Sequence, residues 1–216
     1  MTKRTIAILG GTGKEGPGLA MRWASAGYSI IIGSRQTEKA QRIARELNDQ
    51  LGIDTIRGMD NASGARSADL CVLTVVYTAH QQAIRGLKDD LKGKILVDAT
   101  ARVDFREPKP PTPPAAARYA QDLLGDEVRV VAAFQNVPAH ALRSNLGGPL
   151  DLHVIVCADD PDAAEQVIEL AEAGGMQAFY GGDLDNAVVV EGLTSILISM
   201  NKHYKIKTAS VAITGV

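Results

Sequence analysis

A short apolar run, Thr5-Ile6-Ala7-Ile8-Leu9, leads directly into Gly10-Gly11-Thr12-Gly13-Lys14-Glu15-Gly16. Gly11, Gly13 and Gly16 stand in the spacing G-x-G-x-x-G, and this constrains the fold more than any other feature of the chain. A helical pattern over residues 16–26 follows, and a second apolar run over 29–33 completes the unit. Strand, glycine turn, helix and strand within about 30 residues have the length of a βαβ crossover that binds a dinucleotide. The first glycine makes the tight turn, the second lets the backbone approach a pyrophosphate, and the third brings helix and strand together. The phosphates then rest on the unpaired N–H groups of the helix N-terminus. An ordinary tight turn would also use glycine, but it would not require this spacing between a strand and a helix.

The second strand bears on which nucleotide. An NAD site ends that strand with Asp or Glu, which holds the ribose 2′-hydroxyl. Here the chain reads Gly33-Ser34-Arg35, with Lys39 one turn into the next helix. A hydroxyl and two cations suit a dianionic 2′-phosphate, which a carboxylate would repel. The competing reading is a solvated turn before a helix that starts near Thr37. The expectation is NADP(H).

Composition excludes several classes. The chain has 216 residues, 45% of them hydrophobic, and a net charge of −2. That is enough for one nucleotide-binding domain and a small appendage. No basic stretch suits nucleic acid, and Lys202-His203-Tyr204-Lys205 with Lys207 reads as a solvated face. Cys71 and Cys157 lie in apolar strand patterns, as buried free thiols of a reducing compartment would. Metal-ligand spacings such as C-x-x-C and H-x-x-x-H are absent from the sequence. With neither a signal peptide nor a membrane span to be read, the chain is expected to be cytoplasmic, with no membrane partner.

Strands and helices alternate along the chain, which predicts an α/β fold: a Rossmann-type doubly wound parallel sheet with a small C-terminal α+β domain. Helices are expected over 37–51, 79–91, 115–124, 161–173 and 186–203. Strands are expected over 55–57, 69–76, 94–98, 128–134, 152–157 and 177–180. The glycine-rich stretch 145–149 reads as a linker, dividing an NADP-binding domain at 1–146 from a small domain at 147–216. Residues 101–114 form a loop carrying Pro108, Pro110, Pro111, Pro113 and Pro114, too proline-dense for helix or ladder. It leaves the C-terminal end of a strand, the edge where open α/β sheets bind ligands. The last helix is apolar almost all round, at Val188, Val189, Val190, Leu193, Ile196, Leu197, Ile198 and Met200. Burial between domains or subunits is expected for it.

These residues carry a family resemblance. Gly10-Gly11-Thr12-Gly13, Gly33-Ser34-Arg35, Val131-Ala132-Ala133-Phe134-Gln135-Asn136-Val137, Val190-Glu191-Gly192-Leu193-Thr194 and Ile213-Thr214-Gly215 together span nearly the whole chain. The chain resembles the NADPH-dependent oxidoreductases of the deazaflavin coenzyme F420, the F420:NADP oxidoreductases. The resemblance implies a homodimer that exchanges hydride between NADPH and F420 in a cleft between domains. It implies that Thr12 and the backbone of Gly13 and Lys14 take the pyrophosphate, within the turn that also holds Gly11 and Glu15. Ser34, Arg35 and Lys39 would take the 2′-phosphate, and Val75 and Val76 would flank the nicotinamide. Gln135, Val137 and Ala139 would position its carboxamide, and Leu193 and Thr194 would face the deazaflavin. The chain departs from the family pattern at Val188, where Arg is usual, at Gly182-Asp183, where many have Gly-Pro, and at His153, where many have Asp.

Hydride transfer between stacked rings needs alignment and exclusion of water rather than a catalytic triad. No residue is accordingly expected to serve as a catalytic acid or base. His80 and His153 read better as a capping or surface residue and a satisfied strand residue, and Asp98 suits capping the turn after its strand. Two other functions fit the same residues. One is a reductase of this fold with another acceptor, such as a flavin, quinone, imine or ferric complex. The other is a non-catalytic NADPH-binding protein.

Overall fold

A computed structural model describes residues 4–216. In chain order the elements are β1 (Thr5–Leu9), α1 (Gly16–Ser25), β2 (Ser29–Ser34), α2 (Thr37–Leu51), β3 (Ile56–Asp60), α3 (Asn61–Ser67), β4 (Leu70–Leu73) and α4 (Tyr77–Leu87). There follow β5 (Ile95–Asp98), α5 (Ala116–Leu124), β6 (Arg129–Ala132), β7 (His153–Ala158), α6 (Pro161–Ala173), β8 (Gln177–Tyr180) and α7 (Ala187–Tyr204).

The strands form one sheet in the order β3-β2-β1-β4-β5-β6-β7-β8. The first six are parallel, and their order reverses at β1, the doubly wound arrangement. Alternation along the strands explains why both faces are covered. Ile6, Ile8, Ile30 and Ile32 join one core with Leu19 of α1, Ala40 of α2 and Ala163 of α6. Ala7, Leu9 and Ile31 join the other, with Ala65 of α3, Ile84 of α4, Ala120 of α5 and Val190 of α7. Successive side chains point to opposite faces, so a strand buried on both sides must be apolar throughout.

The C-terminal strands continue this sheet. β7 runs antiparallel to β6 but pairs only through Val131 with Ala158 and Ala132 with Cys157, and β8 is parallel to β7. The chain's last segment runs back to β7: His153 N–H donates to Val211 O at 2.8 Å, and Ile213 N–H donates to His153 Nδ1 at 2.8 Å. His153 is thus a satisfied strand residue.

Two local differences from the sequence expectations have physical causes. The helix α3 was not expected, because Asn-Ala-Ser-Gly-Ala-Arg-Ser has weak helix propensity. It forms because Asp60 caps it, accepting from Ser63 N–H at 2.8 Å, and because Gly64 lets it lie against Ile31. β4 is shorter than 69–76, since pairing stops at Leu73, opposite Leu9 at the end of β1. Within its own chain the helix α7 buries one side only. Val190 and Leu197 are buried, whereas Val189, Ile196 and Met200 are exposed at 66%, 56% and 41%.

Candidate cofactor cleft

The parallel strands deliver the segments of interest to one edge. Gly10–Gly16 follows β1, Ser34–Lys39 follows β2, Thr74–Tyr77 follows β4, Asp98–Arg102 follows β5 and Phe134–Ala139 follows β6. Open parallel sheets bind ligands in the crevice outside these strand ends, at the reversal of strand order.

The glycine turn is tightly specified. Gly11 N–H donates to Ile8 O at 3.1 Å and to Gly33 O at 2.9 Å, while Gly10 N–H donates to Asn61 Oδ1 at 3.0 Å. A Cβ on Gly11 would stand 2.6 Å from Ile8 O, and one on Gly16 2.5 Å from Gly11 O. Gly13 differs: a Cβ there would meet only Gly10 O, at 3.8 Å, so its outer side is open. Gly13 and Lys14 are exposed and Thr12 is half-buried. Tightness at the first and third positions with an open second is what close approach by a ligand backbone requires.

Glu15 stands at the start of α1, half-buried, and its carbonyl accepts from Gly18 and Leu19 N–H. Its Oε1 is buried with no hydrogen-bond partner, and burial pushes the carboxyl up to about 8. At neutral pH the side chain is therefore mostly uncharged.

At the end of β2, Ser34 is buried and its Oγ accepts from Gln36 N–H at 3.1 Å. Arg35 and Lys39 are exposed and enter no ion pair among the described residues. Val75 packs on the glycine turn, close enough that a Cβ on Gly10 would come within 2.5 Å of its Cγ1. Val76 and Tyr77 stand out from the edge, 68% and 50% exposed.

The turn after β6 is held by its neighbours. Phe134 adopts φ 72°, a conformation that costs a non-glycine residue free energy and needs support. Its ring is buried edge-to-face against Trp23 of α1, centroids 5.7 Å apart. That anchorage offsets the backbone cost and starts the turn that carries Gln135, Val137 and Ala139. Gln135 Nε2 donates to Asp98 O at 3.0 Å, and its Oε1 is buried without a partner. Val137 is buried and Ala139 half-buried. Asn136 Nδ2 donates to Val190 O at 2.9 Å and to Thr194 Oγ1 at 3.0 Å, and Thr194 Oγ1 donates to Gln135 O at 3.0 Å. The structure therefore brings Thr194 directly against the Gln135 turn, with Leu193 half-buried beside it in sequence.

Two side-chain systems escaped the sequence reading. The first is His80 with Asp98. His80 is neither a surface residue nor a cap: it is 1% exposed, and its Nε2 lies 2.6 Å from Asp98 Oδ2. Asp98 does accept from Thr100 N–H, at 3.0 Å, but that is only part of its role. The second is Glu191, buried at 2% on α7. It accepts from Arg102 N–H at 2.6 Å, from Arg102 Nε at 2.8 Å and Nη2 at 3.2 Å, and from Ala116 N–H at 3.0 Å. Lys109 O accepts from Ser195 Oγ at 2.7 Å, and Arg106 O from Lys202 Nζ at 2.9 Å. Pro110 and Pro111 pass beside Gly192, within 3.8 Å of where a Cβ would stand. The proline-rich loop is thus strapped along α7, with the Arg102 guanidinium 5.9 Å from the Tyr77 ring centroid. The signal was a single carboxylate in an otherwise apolar run, since a buried carboxylate needs several donors.

A concavity of about 740 Å³ lies elsewhere, beside the C-terminal end of α1 and the linker. Its buried cation, Arg22, is spent on carbonyls, donating to Leu142 O at 2.9 Å, Gly148 O at 3.1 Å, Gly174 O at 2.9 Å and also to Ser144 O. It staples the linker and has no counterpart of the glycine turn. Cys71 and Cys157 are buried free thiols, which burial pushes up to about 12 and about 11. Among the described residues no cluster suits a metal ion, and no helix is long and apolar enough to cross a membrane.

Comparison with known proteins adds a second line of observation. Residues 5–102 match the family model described as NADP oxidoreductase, coenzyme F420-dependent. The F420-dependent NADP reductase of Methanothermobacter thermautotrophicus is 38% identical over 97% of this chain and 94% of its own length. That of Methanocaldococcus jannaschii is 39% identical over 97% of this chain and 98% of its own. Among solved structures, a protein from Arthrobacter sp. FB24, provisionally described as an F420-dependent NADP-reductase, superposes with a TM-score of 0.78. It is 25% identical and covers 97% of this chain and 100% of its own.

Proposed function

Because this chain belongs to the F420-dependent NADP reductase family, we propose that it exchanges hydride between NADPH and coenzyme F420 in the crevice at the strand ends. The observation that best supports this is the direct bond from Thr194 to Gln135 O at 3.0 Å. The residue assigned to the deazaflavin side touches the turn assigned to the nicotinamide side, so two rings held by them share one floor.

The residues present fit a nicotinamide dinucleotide phosphate. The open side of Gly13 admits a pyrophosphate to the N-terminus of α1, where Thr12, Gly13 and Lys14 offer backbone donors and Gly11, its own N–H spent on Ile8 and Gly33, holds the turn. Glu15, kept mostly neutral by burial, adds little repulsion there. Arg35 and Lys39 are unpaired and exposed beside Ser34, as receivers of a 2′-phosphate should be. Val75 and Val76 form an apolar flank for the nicotinamide, and Gln135, Val137 and Ala139 position its carboxamide. Leu193 and Thr194 face the acceptor. When bound, the nicotinamide supplies a hydride and the deazaflavin a carbon that accepts it, a two-electron step. The chain's contribution is to stack, orient and dry the two rings.

Residues 147–216 act as the acceptor-side unit, with 1–146 as the nucleotide-side unit. The chain works as a homodimer in the cytoplasm. Val189, Ile196 and Met200 support dimerisation: they lie seven and four residues apart, form one stripe along α7, and are exposed. Light scattering at micromolar concentration is expected to report a dimer, and a clean monomer overturns that part of the reading. The activity is tested by adding F420 to the protein with NADPH. The visible absorbance of F420 should bleach, and NADP with reduced F420 should restore it. Turnover of another acceptor with F420 left unreduced overturns the assignment.

A further inference from the structure

Among the described residues, three buried side-chain atoms have no hydrogen-bond partner: Glu15 Oε1, Thr100 Oγ1 and Gln135 Oε1. Such atoms destabilise a fold, and a protein that keeps them at a ligand edge has a use for them. Two of the three belong to one construction. Asp98, at the end of β5, accepts Thr100 N–H at 3.0 Å with Oδ1 and Gln135 Nε2 at 3.0 Å with its backbone carbonyl. The remaining carboxylate oxygen, Oδ2, lies 2.6 Å from His80 Nε2. Both Asp98 oxygens therefore have partners, and His80 and Asp98 are 1% and 0% exposed. A carbonyl can only accept, so the Gln135 amide must turn its N–H₂ toward Asp98, leaving Oε1 as a free acceptor. Thr100 Oγ1, whose hydrogen rotates, is a free donor.

We infer that Asp98 presents Gln135 Oε1 and Thr100 Oγ1 to the carboxamide of the nicotinamide, orienting Gln135 with its main-chain carbonyl and Thr100 with the carboxylate that His80 holds in place. A primary amide offers the complementary pair: its N–H₂ donates to Gln135 Oε1 and its C=O accepts from Thr100 Oγ1. Thr100 thereby joins the cofactor-contacting residues, and His80 acts through Asp98 rather than on the reacting atoms. The inference rests on the reading that NADP(H) occupies this crevice.

The test compares NADPH with its 3-acetylpyridine analogue, which keeps the carbonyl and lacks the N–H₂. Binding and kcat/KM are measured in wild type, His80→Ala, His80→Gln and Thr100→Val, each beside a melting curve. Wild type should prefer the carboxamide about tenfold, the effect of one hydrogen bond. His80→Ala, which loosens the carboxylate that holds Thr100 N–H, should weaken both nucleotides several-fold and leave that preference, set by Gln135, in place, and His80→Gln, which retains an N–H donor, should restore most of the affinity. Thr100→Val should weaken both nucleotides about tenfold while raising the melting temperature of the ligand-free protein, because it deletes an unpartnered hydroxyl. Thr100→Val breaks no hydrogen bond of the ligand-free fold, so it carries the test if His80→Ala does not fold. A folded His80→Ala that binds both nucleotides as tightly as wild type, or a Thr100→Val that melts lower and binds both nucleotides normally, overturns the inference. If wild type binds NADPH normally in either case, the cofactor assignment stands and only the positioning role fails. If wild type does not bind NADPH at all, both fall.

Discussion

The two walls of the cleft are built by different means. The proposed nucleotide wall, from Gly10 to Lys39, is local: a turn whose Gly11 and Gly16 are dictated by contacts of 2.5–2.6 Å, followed by a helix N-terminus and two cations with no ion pair among the described residues. The proposed acceptor wall is assembled from distant pieces. Arg102, Lys109, Ala116 and Asn136 are tied to α7 through Glu191, Ser195, Val190 and Thr194, and Thr194 also bonds the Gln135 carbonyl at the border with the nicotinamide side. A wall made of backbone geometry tolerates loss of most side chains. A wall made of long-range side-chain bonds fails when its central residue goes.

The largest expected effect follows from that contrast. Glu191→Ala removes the acceptor of two backbone N–H groups and leaves the Arg102 guanidinium without its partner. Breaking one side of a buried ion pair costs about 3–5 kcal/mol. The melting temperature should drop, and activity with F420 should be lost before NADPH affinity. Loss of both in equal measure at permissive temperature would mean that the walls are not independently supported.

Glu15 offers a sharper test of the nucleotide wall. Its folded value is raised from 4.5 to about 8, so the folded state holds the proton more tightly than the unfolded chain. Its contribution to stability is full below about 4.5 and is lost as pH rises through about 8. At about 1.4 kcal/mol per unit, the loss is on the order of a few kcal/mol. Denaturant titrations of the ligand-free protein should show stability falling across this window. Glu15→Gln should flatten the slope, and an unchanged slope would assign it to another group.

Arg35→Ala comes next. A charged hydrogen bond contributes about 1.5–3 kcal/mol, so NADPH should bind roughly 10- to 100-fold more weakly. NADH affinity and the melting temperature should hardly change, because Arg35 is exposed and makes no ion pair among the described residues. Calorimetry with both nucleotides measures this, and equal wild-type affinities would remove the case for a 2′-phosphate site.

The smallest effect concerns Val188, half-buried against the core on the α7 side. Val188→Arg should cost about 1 kcal/mol of packing, since a long stem can lie along apolar surface with its charge in water. It should also lower the KM for the anionic F420 several-fold in a salt-sensitive way. No change in KM at low salt would separate position 188 from the acceptor.

What the sequence determined by itself was whatever rests on periodicity and backbone chemistry. The glycine spacing, the apolar runs of β1, β2 and β5, the α2 and α6 boundaries and the missing acid at Ser34-Arg35 were all legible there. Each of these is local, so a few adjacent residues carry the whole signal. Tertiary structure alone decided the rest. His80 read as a surface residue because its partner Asp98 lies 18 positions away, and no local pattern announces that pair. Glu191 is separated from Arg102 by 89 positions, so the strap of the proline loop along α7 was invisible until the chain closed on itself. A buried polar group is held by partners chosen in space, whereas a turn or a strand is chosen by its own residues.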